Sequence, residues 1–114
     1  MNITPEQIDL WLSVRSETQN LEFKEAKTQY DNKKLYRYCV ALANEGGGFF
    51  VLGVTDKQPR EVVGSQAFSD PVAMAEKLFT AVGFRVDIQE VQHPDGRVVV
   101  FQTPSRPKGT AYLL

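Results

Sequence analysis

The chain has 114 residues, of which 42% are apolar and 24% charged, a composition typical of one globular domain rather than a disordered or fibrous chain. Its formal net charge is −1, so any binding of nucleic acid requires a local basic patch. One Cys and one His exclude a zinc site built from these residues, because such a site needs three or four of them.

Compartment and cofactor use follow from similar arguments. The single cysteine, Cys39, cannot form an internal disulfide, which fits a reducing compartment. The N-terminal residues lack a basic segment followed by an apolar stretch, and no apolar run approaches the length of a membrane span. We therefore expect a cytoplasmic protein with no membrane partner.

The glycines at 46–48 are followed by Phe49 rather than lysine, so there is no phosphate-loop motif and no nucleotide cofactor is expected.

The first half of the chain predicts a helix, a strand and a second helix. A capping residue followed by a proline and a glutamine predicts that the first helix begins at Pro5. This helix is expected to end near Val14. Alternating apolar and charged residues at 21–24 predict a strand. A second helix is expected over about 32–45, with an apolar stripe formed by Leu35, Cys39 and Leu42 and flanked by Tyr36, Val40 and Ala43.

The second half predicts a buried strand, a loop, a helix and a hairpin. The continuous apolar run at 49–54 is typical of a central strand covered on both faces, and a loop is expected over 57–70. An antiparallel hairpin is expected over 84–101, with its turn at 93–96. Between loop and hairpin, the pattern at 71–82 favours a helix carrying Val72, Ala75, Phe79 and Val82 toward the core.

The order of these elements predicts the fold class. After a leading helix the order is strand, helix, strand, helix, strand, strand, which favours an α/β (α+β) fold with a mixed sheet and helices packed against it. No internal repeat or linker interrupts the pattern, so residues 1–114 are expected to form a single domain. The residues at 111–114 read like the opening of another strand, and we expect the chain to be an N-terminal fragment of a longer protein.

Three acidic side chains are expected to meet at one edge of the sheet. Glu17 precedes the first strand, Glu22 lies on its polar face, and Asp56 follows the buried strand. If the two strands are neighbours, these carboxylates converge as Mg²⁺ or Mn²⁺ requires, and such an ion promotes phosphodiester cleavage. Lys24, on the same strand face as Glu22, would then stabilise the scissile phosphate. The alternative is a solvated ion pair without metal chemistry.

Basic residues concentrate at the end of the first strand and just after it. The patch that they form consists of five cations: Lys24, Lys27, Lys33, Lys34 and Arg37. Two more cations, Arg106 and Lys108, would extend this patch if the chain's end folds back, and Tyr30 and Tyr38 are available to stack on bases. If the patch neutralises about five duplex phosphates, a plot of the logarithm of the binding constant against the logarithm of the salt concentration should have a slope of about −4.5. The alternative is a solvated helix face without a ligand.

Two segments resemble motifs of the Schlafen AlbA domain family: ETQNLEFKEA at 17–26 and ALANEGGGFFVLGVTD at 41–56. RPKGTAYL resembles the family's closing segment, so the match runs roughly from Glu17 to Leu113. The resemblance implies an Alba-like sandwich and nucleic-acid binding, commonly as the N-terminal module of larger microbial regulatory or defence proteins. Animal members use three carboxylates for metal-dependent cleavage of structured RNA, which implies this role for Glu17, Glu22 and Asp56. The two-lobed cores of Schlafens imply a homodimer here.

We therefore expect a domain that binds DNA or RNA in a cytoplasmic microbial regulatory or defence protein. Two alternatives stay open. One is an endonuclease that depends on Mg²⁺ or Mn²⁺, and the other is a protein-interaction or dimerisation module.

Overall fold

In the part of the chain that the structure describes, three helices and four strands follow one another in the expected order. The computed structural model describes residues 1–13, 20–109 and 111–112. The helices are α1 (Pro5–Ser13), α2 (Asn32–Asn44) and α3 (Pro71–Val82), and the strands are β1 (Leu21–Lys24), β2 (Gly48–Leu52), β3 (Asp87–His93) and β4 (Gly96–Thr103). This arrangement confirms the mixed α+β class. Within the described ranges, none of the helices has the length and apolar character needed to cross a membrane.

The four strands form one mixed sheet in the order β1-β2-β4-β3. β1 runs parallel to β2, with Leu21 opposite Phe49, while β2 with β4 and β4 with β3 are antiparallel. The central position expected for β2 is confirmed. Because β1 and β2 are parallel neighbours, their carboxyl ends reach the same edge of the sheet, and α2 forms the crossover between them.

Each face of the sheet buries its own apolar cluster. α2 and α3 cover one face, and α1 contributes Ile8 to the other. Successive residues of a strand point to opposite faces, so Phe50 and Leu52 belong to the first cluster while Val51 belongs to the second. The sheet is therefore enclosed by helices on one side and by α1 with loop residues on the other.

Local interactions explain where α2 begins and ends. Asp31 caps the helix by accepting a hydrogen bond from the backbone N–H of Lys34 (3.1 Å). After the other end of the helix, the backbone passes very close to neighbouring segments. A Cβ on Gly48 would lie only 2.2 Å from the carbonyl oxygen of Asn20. A Cβ on Gly47 would lie 2.8 Å from the backbone nitrogen of Ser105. These close contacts give a packing reason for glycine after the helix.

The buried face of α3 differs from the prediction. Val72 is 75% exposed and Phe79 is 56% exposed, so placing these two side chains toward the core was wrong. Two overlapping apolar stripes run along this helix, and hydrophobicity alone does not choose between them. The stripe that packs is spaced by four residues: Met74, Leu78 and Val82.

Arg97 fixes the loop before α3 to strand β4. Its Nη1 donates to the carbonyl oxygens of Ser65 (3.0 Å) and Ala67 (2.7 Å), and its Nη2 donates to that of Phe68 (2.8 Å). Its Nε donates to Oε2 of Glu90 at 2.8 Å. One largely buried guanidinium therefore satisfies three loop carbonyls at once.

Polar contacts with strand β3 hold α1 in place. The Gln89 amide accepts from the N–H of Ile3 (2.8 Å) and donates to its carbonyl oxygen (2.7 Å). His93 accepts the backbone N–H of Asp95 through Nδ1 (3.0 Å). Its Nε2 therefore carries the hydrogen that it donates to Oδ1 of Asp9 at 2.6 Å. These contacts orient α1 so that Ile8 enters the core.

Candidate nucleic-acid interface

A cleft of about 500 Å³ opens between α2 and the carboxyl end of β1. Its α2 wall consists of residues spaced by three, one and three positions, which places them on a single helix face. The opposite wall comes from the end of β1 and the loop that follows it. The lining residues are Lys34, Arg37, Tyr38 and Ala41 from α2, with Lys24 and Tyr30 facing them.

Lys24 is held at the inner end of this cleft by charges and by an aromatic ring. Its Nζ lies 3.9 Å from Oε1 of Glu22 and 3.7 Å from Oδ2 of Asp56. The same Nζ lies 5.5 Å from the centre of the Tyr38 ring, within the range of a cation–π interaction. Burial lowers the pKa of Lys24, but the hydrogen bond with Tyr38 and the carboxylates of Asp56 and Glu22 outweigh burial and raise it. Lys24 is therefore a fixed positive charge at physiological pH.

The two tyrosines of the cleft have different surroundings. Both rings pack against Phe50, with centroid distances of 5.6 Å for Tyr30 and 5.1 Å for Tyr38. Lys24 lies over the Tyr38 ring, so that ring is engaged by Phe50 and Lys24. Burial raises the pKa of Tyr30 to about 12. Tyr30 therefore presents a protonated hydroxyl and ring surface to the cleft.

The outer cations of α2 are less constrained than Lys24. Lys34 and Arg37 are exposed, and no carboxylate among the described residues lies within 4.0 Å of either head group. Lys33 and Lys34 lie in the first turn of α2, which contains no acidic residue. A cation there is unfavourable for the helix dipole, and the carboxylate of Asp31 already caps this end of the helix. Lys27 and Lys33 are exposed and outside the cleft lining.

Arg106 and Lys108 lie at the opposite end of α2. Arg106 donates its backbone N–H to the carbonyl oxygen of Ala43 (2.9 Å) and its Nε to that of Asn44 (3.1 Å), so it caps the carboxyl end of the helix. Both residues line a separate cleft. Lys34 and Asn44 are ten positions apart, which corresponds to about 15 Å along the helix. The segment that carries Arg106 and Lys108 thus folds back onto α2, where these two residues form a second basic region rather than extending the first.

Two of the three expected carboxylates flank Lys24, and the third, Glu17, lies outside the described residues. Oδ1 of Asp56 accepts the backbone N–H of Glu25 at 3.2 Å, which fixes that carboxylate beside Glu22. Within the described ranges, no three His, Cys, Asp or Glu side chains form a group able to hold a metal ion. The oxygens of Glu22 and Asp56 suit a hard cation, but the ammonium of Lys24 already lies within 4.0 Å of both.

Sequence reasoning missed two features of the cleft. The place of Ala41 in the cleft lining was not predicted, nor was the contact of Tyr38 with Lys24. The spacing of Lys34, Arg37, Tyr38 and Ala41 could have placed all four on one helix face. The contact between Tyr38 and Lys24 depends instead on how α2 crosses the sheet.

Comparisons with known proteins agree with this fold. The DIP2311 protein from Corynebacterium diphtheriae matches with a TM-score of 0.65 and 20% identity, over 88% of this chain and 24% of that one. This chain thus spans about a quarter of that protein. The N-terminal domain of a putative ATP-dependent DNA helicase RecG-related protein from Nitrosomonas europaea matches with a TM-score of 0.66 and 20% identity, over 100% of this chain and 82% of that one. The family described as Schlafen, AlbA_2 matches residues 17–113, and the chain belongs to that family.

Proposed function

We propose that this domain binds nucleic acid and that the cleft between α2 and β1 contacts its phosphates. The observation that carries the proposal is the convergence of Lys24, Lys34 and Arg37, from two separate elements, on one cleft. The chain has a net charge of −1, so this local concentration of positive charge is not a consequence of overall composition. Phosphate contacts of this kind supply most of the sequence-independent affinity for nucleic acids.

Lys33 and Lys34 add positive charge at the start of α2, beside the cleft. The capping carboxylate of Asp31 lies at the same helix end and offsets part of that charge. Lys27, exposed in the preceding loop, adds charge before the helix begins. Membership of the AlbA_2 family and similarity to a domain of a putative DNA helicase-related protein further support a nucleic-acid ligand.

Salt-dependent binding tests the proposal. Labelled duplex DNA, single-stranded DNA and RNA are titrated with the protein between about 50 and 200 mM salt. Removing two phosphate contacts with Lys34→Gln/Arg37→Gln should weaken binding and make the log–log salt slope shallower by about 1.4 to 1.8.

The matched control is Lys77→Gln/Arg85→Gln, which removes the same charge from exposed positions outside the cleft. This control should bind like the parent protein. A flat salt response of the parent protein, or equal losses in both double variants, would contradict the proposal. Light scattering on the same samples measures molar mass and so tests the alternative of a dimerisation module.

Metal-dependent cleavage of nucleic acid is the second candidate, because Glu22 and Asp56 lie on either side of Lys24 at the shared edge of β1 and β2. These two residues, with Glu17, would hold Mg²⁺ or Mn²⁺, which would supply an activated water. Lys24 is placed to bind a phosphate beside them.

Cleavage is tested by incubating labelled transfer RNA and DNA with Mn²⁺ or with EDTA. Glu22→Gln/Asp56→Asn should abolish Mn²⁺-dependent cutting, while Glu61→Gln/Asp95→Asn, an equal change of charge at exposed positions, should retain it. Cutting that persists in EDTA, or that the first double variant retains, would rule out this candidate.

A further inference from the structure

We propose that the cleft between α2 and β1 accepts an unpaired nucleotide, so that the domain prefers single strands to duplexes. This inference rests on the proposed nucleic-acid binding and specifies the form of the ligand. The two ideas can fail separately, because a duplex-preferring protein would still be a nucleic-acid-binding protein.

The shape of the site favours an unpaired nucleotide. The cleft has a volume of about 500 Å³, within the range of pockets that enclose a small ligand. A duplex keeps its bases stacked and presents phosphates and groove edges to a protein. A base can enter a cleft of this kind only when it is unpaired.

The chemistry of the lining fits the same ligand. The rings of Tyr30 and Tyr38 and the methyl group of Ala41 form apolar surface within the cleft, and Lys34 and Arg37 line it beside them. An aromatic surface bordered by cations is the pattern by which proteins bind single strands, with bases on the rings and phosphates on the cations.

Tyr30 is the ring available to the base. Tyr38 lies against Phe50 and under the ammonium of Lys24, so its part is to position Lys24. Tyr30 packs against Phe50 while still lining the cleft. Its hydroxyl can also donate a hydrogen bond to a base or a phosphate.

The number of cations sets the expected salt dependence. Lys24 is already paired with Glu22 and Asp56, so Lys34 and Arg37 are the cleft cations that can neutralise about two phosphates. On a single strand, two such contacts correspond to a log–log salt slope of about −1.4. The five-cation duplex estimate from the sequence is about −4.5. The slope therefore reports how many cations contact phosphates.

Fluorescence anisotropy with three probes tests the inference: a dT decamer, a U decamer and a duplex of ten base pairs. We expect at least one single strand to bind about five-fold or more tightly than the duplex, because one base stacks on an aromatic ring, with a salt slope of about −1.4. The tighter of the two single strands identifies DNA or RNA as the ligand.

Variants of the cleft lining assign the effect to Tyr30. Tyr30→Leu should weaken single-strand binding about five-fold or more, whereas Tyr30→Phe should retain most of it. Tyr36→Leu, on α2 but outside this cleft, is the matched control and should bind like the parent protein. Thermal melting verifies that each variant is folded.

Ala41→Leu provides an independent test if Tyr30→Leu is unstable. Ala41 is exposed on α2, so leucine is tolerated by the helix but fills the cleft without changing its charge. Single-strand binding should fall while duplex binding is unaffected. Salt-sensitive binding that is equal or tighter for the duplex would overturn the inference and leave the proposed function standing. The absence of salt-sensitive binding to any probe would overturn both.

Discussion

The side chain of Asn44 forms two hydrogen bonds with the backbone of Tyr112. Asn44 Nδ2 donates to the Tyr112 carbonyl oxygen at 3.0 Å, and Asn44 Oδ1 accepts the Tyr112 N–H at 2.8 Å. The Tyr112 ring stacks on Phe84 with a centroid distance of 4.3 Å and an interplanar angle of 27°. The end of α2 is thereby joined to Tyr112, whose ring packs on Phe84 between α3 and β3.

Asn44→Ala should lower the free energy of unfolding by about 1–3 kcal/mol, because two half-buried hydrogen bonds are lost together. Urea denaturation measures the change. The control is Asn32→Ala in the first turn of the same helix, whose side chain has no hydrogen bond among the described residues. Equal effects of the two substitutions would show that the Tyr112 segment does not depend on Asn44.

Arg97→Lys should lower the free energy of unfolding by about 2–3 kcal/mol. Lysine keeps the charge but cannot reproduce the planar set of donors that reaches the three loop carbonyls and Glu90. Urea denaturation is again the measurement. Arg85→Lys at an 84% exposed side chain should have almost no effect, and a similarly small effect at Arg97 would contradict this role.

The raised pKa of Tyr30 predicts a loss of stability in alkali. Its pKa is about 12 in the folded protein against 10.0 for the free side chain, so the unfolded chain loses this proton first as pH rises. The stabilising contribution is therefore complete below about pH 10 and is lost as pH rises toward about 12. The raised pKa of Lys24 acts in the same direction.

In an ultraviolet titration of the folded protein, one tyrosine should ionise near pH 12. This late ionisation should be absent from the titration of Tyr30→Phe. Urea midpoints at about pH 8 and about pH 11 should also differ less in Tyr30→Phe than in the parent protein. An unchanged late ionisation in Tyr30→Phe would assign it to another tyrosine.

Cys39 should be unreactive toward thiol reagents in the folded protein. Burial raises the pKa of its thiol to about 11, and the residue is 0% exposed. The reactive thiolate is therefore scarce and inaccessible. A colorimetric thiol assay should detect Cys39 only after unfolding. Ala81→Cys, at an exposed position of α3, should add one thiol that reacts at once, and rapid reaction of the native parent protein would contradict the prediction.

Much of the fold could be predicted because local signals agree with the tertiary packing. The caps at Asp31 and Asp70 accept backbone hydrogen bonds at the expected helix starts. Gly83 has a φ of +83° and ends α3, as expected from the left-handed conformation that glycine favours. The buried face of α3 could not be predicted, because both Phe79 and Leu78 lie on apolar stripes and only contact with α2 and β3 selects Leu78.

The candidate site was predictable in its residue types but not in its geometry. The sequence indicates Glu22, Lys24 and Asp56, and the parallel pairing of β1 with β2 places the two carboxylates beside Lys24. Nothing in the sequence places Tyr38 against Lys24 or Arg106 at the far end of α2. Those contacts are set by the packing of α2 on the sheet and by the path of the chain after β4.

The helix that carries the outer cations is also a main support of the core. The buried face of α2 carries Leu35, Cys39 and Leu42, which hold the helix against the core. Its exposed face carries Lys34, Arg37 and Ala41. The backbone at these positions is thus already ordered before a ligand arrives, and only side-chain rotamers need to be immobilised. Recognition through this face therefore incurs a small conformational-entropy cost, in contrast to a basic loop that must fold around its ligand.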